Sequence, residues 1–153
     1  TAIYFQDPVG MAATGTITVA AAGGVLLGSL NGVFFTDATT SKPTFANHLN
    51  ASNTATDIKG FVTDDPYQRY EIQSDGATEA TDVGQNADIV YAAGSSPDFV
   101  SKVELDESDH KDATAQLRII GISKDPENNT AGSANVNLVV IINEHQLKGT
   151  TGV

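Results

Sequence analysis

Leu138-Val139-Val140-Ile141-Ile142 is the stretch that decides the fold class of this chain, because five consecutive residues are large and aliphatic. β-Branched side chains favour extended backbone. A short run that is apolar at every position is typical of a strand buried on both of its faces. The stretch therefore predicts a central strand of a sheet, covered above and below.

Further strands are predicted outward from this run, where short β-branched or aromatic segments end at turn residues. They fall at residues 16–19, 25–28, 32–35, 58–63, 70–73, 99–105 and 117–122. One helical turn or two is predicted at residues 78–83, where Thr78 could cap the helix and Gly84 could end it. Short strands without recurring helices indicate an all-β chain that forms a single β-barrel or β-sandwich domain.

The first part of the chain differs from the rest in side-chain size. Small residues dominate between Ala12 and Ala22, so this part has few large side chains with which to build a core. We expect residues 1–31 to form an extended N-terminal arm or strand pair that contacts partner subunits, and residues 32–153 to form the barrel or sandwich. The candidate contact residues are apolar side chains in these segments: Tyr4, Phe5, Val19, Leu26, Phe34, Phe35 and Phe45.

Charge argues against nucleic acid as a partner. The formal net charge is −11, and the chain has no cluster of Lys or Arg residues that could neutralise phosphates. The acidic residues are also unevenly distributed. Residues 1–60 hold three acids and two bases, whereas residues 61–153 hold sixteen acids and six bases. We expect the second part to face solvent.

The chain has no cysteine, which excludes a disulfide, a catalytic thiolate and a cysteine-based zinc site. No apolar stretch approaches the roughly 18 residues that a membrane helix needs. The first residues, Thr1 to Tyr4, lack the basic segment of a signal peptide. From the sequence we expect no membrane association, and synthesis in the cytoplasm of the producing cell.

Catalytic patterns are few. The three histidines, His48, His110 and His145, have no spacing that would pair them as metal ligands. The chain has no Gly-x-Ser-x-Gly elbow and no glycine-rich phosphate loop. We therefore expect a protein that is not an enzyme and has no cofactor, with polar surface or loop histidines.

A cluster of acids in the second part allows a calcium hypothesis, because hard cations bind several oxygen ligands from short loops. The cluster consists of Glu104, Asp106, Glu107, Asp109 and Asp112. It lacks the central glycine and the glutamate at the twelfth position that an EF-hand loop requires. A solvated acidic loop is the preferred interpretation, and a structural cation at Glu104, Asp106, Asp109 and Asp112 is the alternative.

Three blocks of sequence carry a resemblance to a known family. The first joins Gly32-Val33-Phe34-Phe35-Thr36-Asp37 to Ser41-Lys42-Pro43-Thr44-Phe45-Ala46-Asn47; the second runs from Phe61 to Gly76; the third pairs residues 115–121 with residues 140–147. Together they resemble the head decoration proteins of tailed phages, especially short-tailed phages of aquatic bacteria. One departure is His48-Leu49-Asn50-Ala51, which stands where that family has a Tyr-Trp-Pro stretch.

The resemblance implies a structural virion protein that is made in the host cytoplasm. Such a protein binds the outer surface of a phage capsid as a homotrimer and stabilises it by bridging neighbouring subunits of the major capsid protein. Two alternatives stay open. One is a carbohydrate- or host-surface-binding β-sandwich module of a virion, and the other is a hydrolase with a dispersed active site.

Overall fold

A computed structural model describes residues 1–109 and 113–149. These residues are almost entirely β structure, which confirms the predicted fold class, and the sheets are open instead of closing into a barrel. The strands are β1 (Pro8–Met11), β2 (Ile17–Val19), β3 (Gly28–Thr36), β4 (Pro43–Ala46), β5 (Lys59–Thr63), β6 (Arg69–Gln73), β7 (Asn86–Ala87), β8 (Ile89–Val90), β9 (Glu104–Leu105), β10 (Leu117–Ile122) and β11 (Asn137–Ile142).

The first sheet is organised around the long strand β3. Strand β5 pairs with β3 from Ser29 to Phe34 and occupies most of one edge. The other edge is shared by β1, which pairs with the beginning of β3, and β4, which pairs with its end. Strand β2 lies outside β1. All of these pairings are antiparallel. Val33 and Phe34 pair with both β4 and β5, so these two strands lie on either side of the second half of β3.

The second sheet has the order β6-β11-β10-β7, and β11 is its longest-paired strand. This confirms that residues 138–142 form a central strand. Leu138, Val140 and Ile142 are buried, whereas the alternate residues Val139 and Ile141 are half-buried. The expectation of complete cover on both faces is therefore corrected: one face carries the core and the other is only partly covered.

Two clusters of buried side chains lie against the two sheets, and the N-terminal segment contributes to both. Val9 and Leu30 belong to the cluster of the first sheet, while Ala20 and Leu26 belong to the cluster of the second. The expected domain boundary at residue 31 falls inside β3. Residues 1–31 are thus folded into the body, because β1 and β3 satisfy each other's backbone groups and bury the few large side chains of this segment.

The buried side-chain amide of Gln116 connects the N-terminal segment to the second sheet by hydrogen bonds. Its Nε2 donates to the carbonyls of Ala21 and Gly24. Its Oε1 accepts from the N–H groups of Gly23 and Ile89, each at 3.1 Å. The side chain is fully buried, and its bond to the N–H of Ile89 forms away from competing water.

Helical structure is limited to two single turns of 3-10 helix, at Ala80–Asp82 and Glu107–Asp109, among the described residues. The predicted helix at residues 78–83 is present as the first of these turns. Its capping residue is Glu79 and not Thr78, whose buried hydroxyl donates to Ser74 at 2.9 Å instead. In the described part of the chain, no helix is long and apolar enough to cross a membrane.

Candidate functional site

Three phenylalanines share the face of the first sheet that points away from its core. Phe34 lies opposite Phe45 in the β3–β4 register, and Phe61 lies opposite Gly32, two residues before Phe34. Paired residues in a sheet point to the same side, and the side alternates along a strand. We call Phe34, Phe45 and Phe61 the aromatic face. Phe45 is 65% exposed and Phe61 is 49% exposed.

Gly32 makes the close packing of this face possible. The rings of Phe45 and Phe61 lie 5.7 Å apart between centroids, in a tilted arrangement. To reach Phe61, the Phe45 ring crosses β3 above Gly32, where an added Cβ would lie 2.8 Å from Phe45 Cζ. Tilted aromatic pairs at this separation are favourable. The two rings therefore form one contiguous apolar patch across three strands.

The charges beside the aromatic face are few and balanced. Lys59 lies opposite Phe34 in the β3–β5 register and so joins the same side of the sheet. Asp57 accepts hydrogen bonds from the N–H of Thr36 at 3.0 Å and from its hydroxyl at 2.7 Å. These two bonds lower the pKa of the Asp57 carboxyl, and the charge of Lys59 contributes in the same direction. The patch is thus apolar and close to neutral in a chain that is strongly acidic.

Two of the predicted contact residues lie in the interior, and a third is partly buried. Leu26 is 1% exposed and Phe35 is 9% exposed, and each belongs to one of the two core clusters. Val19 is partly buried and packs against the core of the first sheet. The two adjacent phenylalanines point to opposite faces of the strand, as their sequence positions predicted. Phe34 lies on the outer side and Phe35 on the core side.

Tyr4 and Phe5, also predicted contact residues, are half-buried at the edge of the first core. The Tyr4 ring is stacked with those of His48 and Phe99, at centroid distances of 6.4 Å to each. His48 and Phe99 lie closer, at 3.9 Å with an interplanar angle of 2°. Phe5 exchanges backbone hydrogen bonds with Phe99 and Ser101. These contacts tie the beginning of the chain to the loop before β9.

A buried carboxyl lies beside this stack. Asp7 is fully buried, and its Oδ2 accepts the N–H of Tyr4 at 2.8 Å. Its Oδ1 has no hydrogen-bond partner among the described residues. Burial raises the pKa of the Asp7 carboxyl, and hydrogen bonds from Tyr4 and Ser101 oppose that shift only in part. When it is ionised, the buried Asp7 carboxylate therefore destabilises the folded state.

The acidic loop does not bring its carboxylates together as a cation site in the part that the structure describes. Asp106 Oδ1 accepts from the N–H and hydroxyl of Ser108, which is the geometry of a local turn. Within residues 1–109 and 113–149, no group of three or more Asp, Glu or His side chains could hold a metal ion. Glu104 lines a cleft that is described below. Asp112 lies outside the described residues, as does His110.

The two described histidines have different environments. His48 is half-buried in the aromatic stack. His145 is 3% exposed, and its Nδ1 accepts the N–H of Leu147 at 3.0 Å, which places the proton on Nε2. Burial and the nearby Lys148 lower the pKa of His145. The expectation of surface or loop histidines is corrected for His145, which is buried at the end of the second sheet, whereas His48 does lie in a loop, after β4.

Phe61 is the residue of this site that sequence reasoning missed. From the sequence it is one more aromatic of a predicted strand, and most such aromatics belong to a core. Phe61 points outward because it alternates in β5 with Val62, which packs on the first core, and the bulge between Leu30 and Gly32 in β3 places Gly32 opposite it. Gly32 is the signal that could have indicated it, since glycine inside a strand marks a bulge or a close approach.

No protein-family model, curated protein or solved structure matches the chain. A function is therefore argued from the geometry of the described residues, together with the resemblance of the three sequence blocks.

Proposed function

We propose that the protein is a structural component of a tailed-phage virion that binds the outer surface of the capsid through its aromatic face. The observation that carries the proposal is the contiguous pair of Phe45 and Phe61, which are 65% and 49% exposed on an open sheet. Exposed apolar patches of this kind mark interaction surfaces. Phe45 also lies inside the first of the sequence blocks that resemble decoration proteins.

The distribution of charge supports the same orientation. The aromatic face has Lys59 and Asp57 beside it, whereas residues 61–153 as a whole carry sixteen acids against six bases. An apolar, neutral side suits permanent contact with a capsid, and a strongly acidic remainder favours solvent and discourages particle aggregation. In this orientation the second sheet projects away from the particle.

The resemblance further implies a homotrimer that bridges neighbouring subunits of the major capsid protein. Three aromatic faces held in one assembly would bind together, so that weak individual contacts multiply. Burying one phenylalanine side chain contributes about 1.5–3 kcal/mol, and about 1.4 kcal/mol corresponds to a tenfold change in affinity. Phe45 and Phe61 are 65% and 49% exposed, so together they leave about one phenylalanine side chain to bury, and the pair is expected to change affinity by at least about tenfold per site.

The test is cosedimentation of the purified protein with capsids of its source phage. The wild-type protein is expected to bind at a fixed copy number per capsid, and a Phe45→Ser/Phe61→Ser variant at least tenfold more weakly. Tyr67→Ser is the matched control, because Tyr67 is 77% exposed but lies in the turn after β5 and not on the aromatic face.

Equal binding of the double variant and the wild-type protein would reject the aromatic face as the contact surface. Absence of saturable binding by the wild-type protein would reject the capsid role itself. A glycan screen with the same proteins would then test the carbohydrate- or host-surface-binding module.

A further inference from the structure

A cleft of about 820 Å³ opens between the two sheets beside β6. Its floor is formed by buried aliphatic side chains that all belong to the core cluster of the second sheet: Leu26, Ile89, Leu117, Val140 and Ile142. The volume is within the range typical of ligand-binding sites, about 300–1,000 Å³. The aromatic face contributes no residue to it.

The lining residues show that the backbone edge of β6, and not one of its faces, borders the cleft. All five residues of Arg69–Gln73 line the cavity, whereas a strand that lined it with one face would contribute alternate residues. The opposite side is formed by four further consecutive residues, 101–104. Two stretches of backbone thus face each other across the cleft.

The cleft exists because the chain before β9 separates from β6. Leu105 pairs with Ser74 just beyond the end of β6. Four residues earlier, the N–H of Ser101 donates to the carbonyl of Phe5, in a different part of the fold. The segment between these two anchors diverges from β6 and leaves its edge uncovered.

The hydrogen-bond pattern of β11 identifies the uncovered groups. Ser74 donates its N–H to the carbonyl of Val136, towards β11. The backbone groups of an antiparallel strand alternate between its two neighbours, so those of Tyr70 and Ile72 also face β11. Those of Glu71 face the cleft, where no described residue supplies a backbone partner. An occupant that satisfies both groups of Glu71 must bring a donor and an acceptor at the spacing of a peptide backbone.

Charge at the mouth of the cleft restricts the occupant further. Two bases, Arg69 and Lys102, and two acids, Glu71 and Glu104, are among the residues that line it, so their formal charges cancel; the Glu71 carboxylate also accepts a hydrogen bond from the hydroxyl of Ser123. The mouth is therefore neutral in a chain whose net charge is −11. Such a rim favours an uncharged segment over a basic or an acidic one.

We propose that this cleft binds an extended, uncharged segment of a partner polypeptide, which adds to the free edge of β6 and places alternate apolar side chains on the buried floor. Strand addition of this kind combines backbone hydrogen bonds with pockets for every second side chain. The proposal does not depend on the aromatic face, and in a capsid-bound protein it would supply a second, independent attachment.

The experiment uses the full chain and an acetylated, amidated seven-residue peptide of alternating Val and Thr as the probe. Backbone amide NMR is expected to show shifts along residues 69–73 and 101–104. Exchange of the Glu71 amide hydrogen should slow at least tenfold at saturation. A peptide of the same length with two central prolines should not bind, because proline removes the backbone donors.

Two variants locate the site. Ala92 lines the cleft, whereas Ala93 is exposed and does not. Ala92→Trp is expected to fill the cleft and weaken peptide binding at least tenfold, and Ala93→Trp to leave it unchanged. Glu71→Pro removes the N–H that faces the cleft and leaves the hydrogen bonds to β11 intact. It should therefore weaken peptide binding, and it tests the site independently if Ala92→Trp disturbs folding.

Three results would overturn the proposal. The first is an absence of shifts up to the solubility limit of the peptide. The second is equal binding by the proline peptide. The third combines two observations: 1-octanol causes the same NMR shifts as the peptide, and the peptide does not slow exchange of the Glu71 amide hydrogen. That result would make the cleft a site for small apolar molecules.

Discussion

Replacement of Gln116 by leucine is expected to destabilise the whole fold, although the substitution adds no charge and preserves most of the side-chain volume. Leucine would leave four backbone groups without their partner: the carbonyls of Ala21 and Gly24 and the N–H groups of Gly23 and Ile89. These groups belong to the N-terminal segment and to the second sheet. The substitution thus tests whether the two are one cooperative unit.

The magnitude follows from the burial of each group. The turn that contains Ala21 and Gly23 is largely exposed, so water can replace the amide there, at a net loss of about 0.5–1.5 kcal/mol per bond. Ile89 is 1% exposed, so its N–H stays unpaired at a cost of about 1–3 kcal/mol. We expect a total loss of about 2.5–7.5 kcal/mol. Folded proteins have a free energy of unfolding of about 5–15 kcal/mol.

Urea denaturation followed by far-ultraviolet circular dichroism measures the free energy of unfolding. The matched control is Gln68→Leu, because Gln68 is exposed and its side-chain amide donates only to the adjacent Arg69 carbonyl. The control should change stability by less than about 0.5 kcal/mol. A loss below about 1 kcal/mol for Gln116→Leu would refute the reasoning, since the N-terminal segment would then contribute little to the stability of the second sheet.

Three further outcomes are expected. Asp7→Asn should raise the melting temperature at neutral pH. Because burial raises the pKa of the Asp7 carboxyl, the protonated carboxyl contributes its full stability below the ordinary carboxyl pKa, and this contribution is lost as pH rises through the raised value. In thermal melts between pH 3 and pH 8, the melting temperatures of the variant and the wild-type protein should therefore become equal at the acidic end. Gly28→Ala should cost at least about 2 kcal/mol by urea denaturation, because an added Cβ would overlap the carbonyl oxygen of Thr63, whereas Gly121→Ala meets no atom and should be nearly neutral. Deletion of residues 1–22 should abolish the cooperative unfolding transition, because it removes β1 and β2 and exposes both cores; an unchanged transition would restore the interpretation of this segment as a separate arm.

Several features of the fold could be predicted from the sequence because they depend on local patterns. Period-two alternation and β-branched content identified the all-β class, and the aliphatic run at residues 138–142 identified the central strand of the second sheet. Turn residues gave approximate ends for β2, β5, β6, β10 and β11, whereas the predicted strand at residues 99–105 is reduced to β9, and β1, β7 and β8 were not predicted. The capping pattern gave the single turn near Thr78, although its capping residue was one position later.

The candidate site was only partly predictable. Phe34 and Phe45 were candidates from the sequence, and both lie on the aromatic face. Leu26 and Phe35 were candidates too, but they lie in the cores. An apolar residue in a strand faces either a core or the outside, and a single sequence contains no information on which face its neighbours cover. A register shift of one residue reverses that choice.

The amino-acid sequence by itself determined the all-β class, the acidic character and the absence of cysteine chemistry, since propensity, charge and composition belong to the residues wherever they lie. Tertiary structure alone decided that residues 1–31 are part of the body, because the partners of that segment, Gln116 and the second sheet, lie far along the chain. It also decided the pairing of Phe45 with Phe61 and the open edge at Glu71. These features depend on strand order and register, which arise from contacts between distant residues.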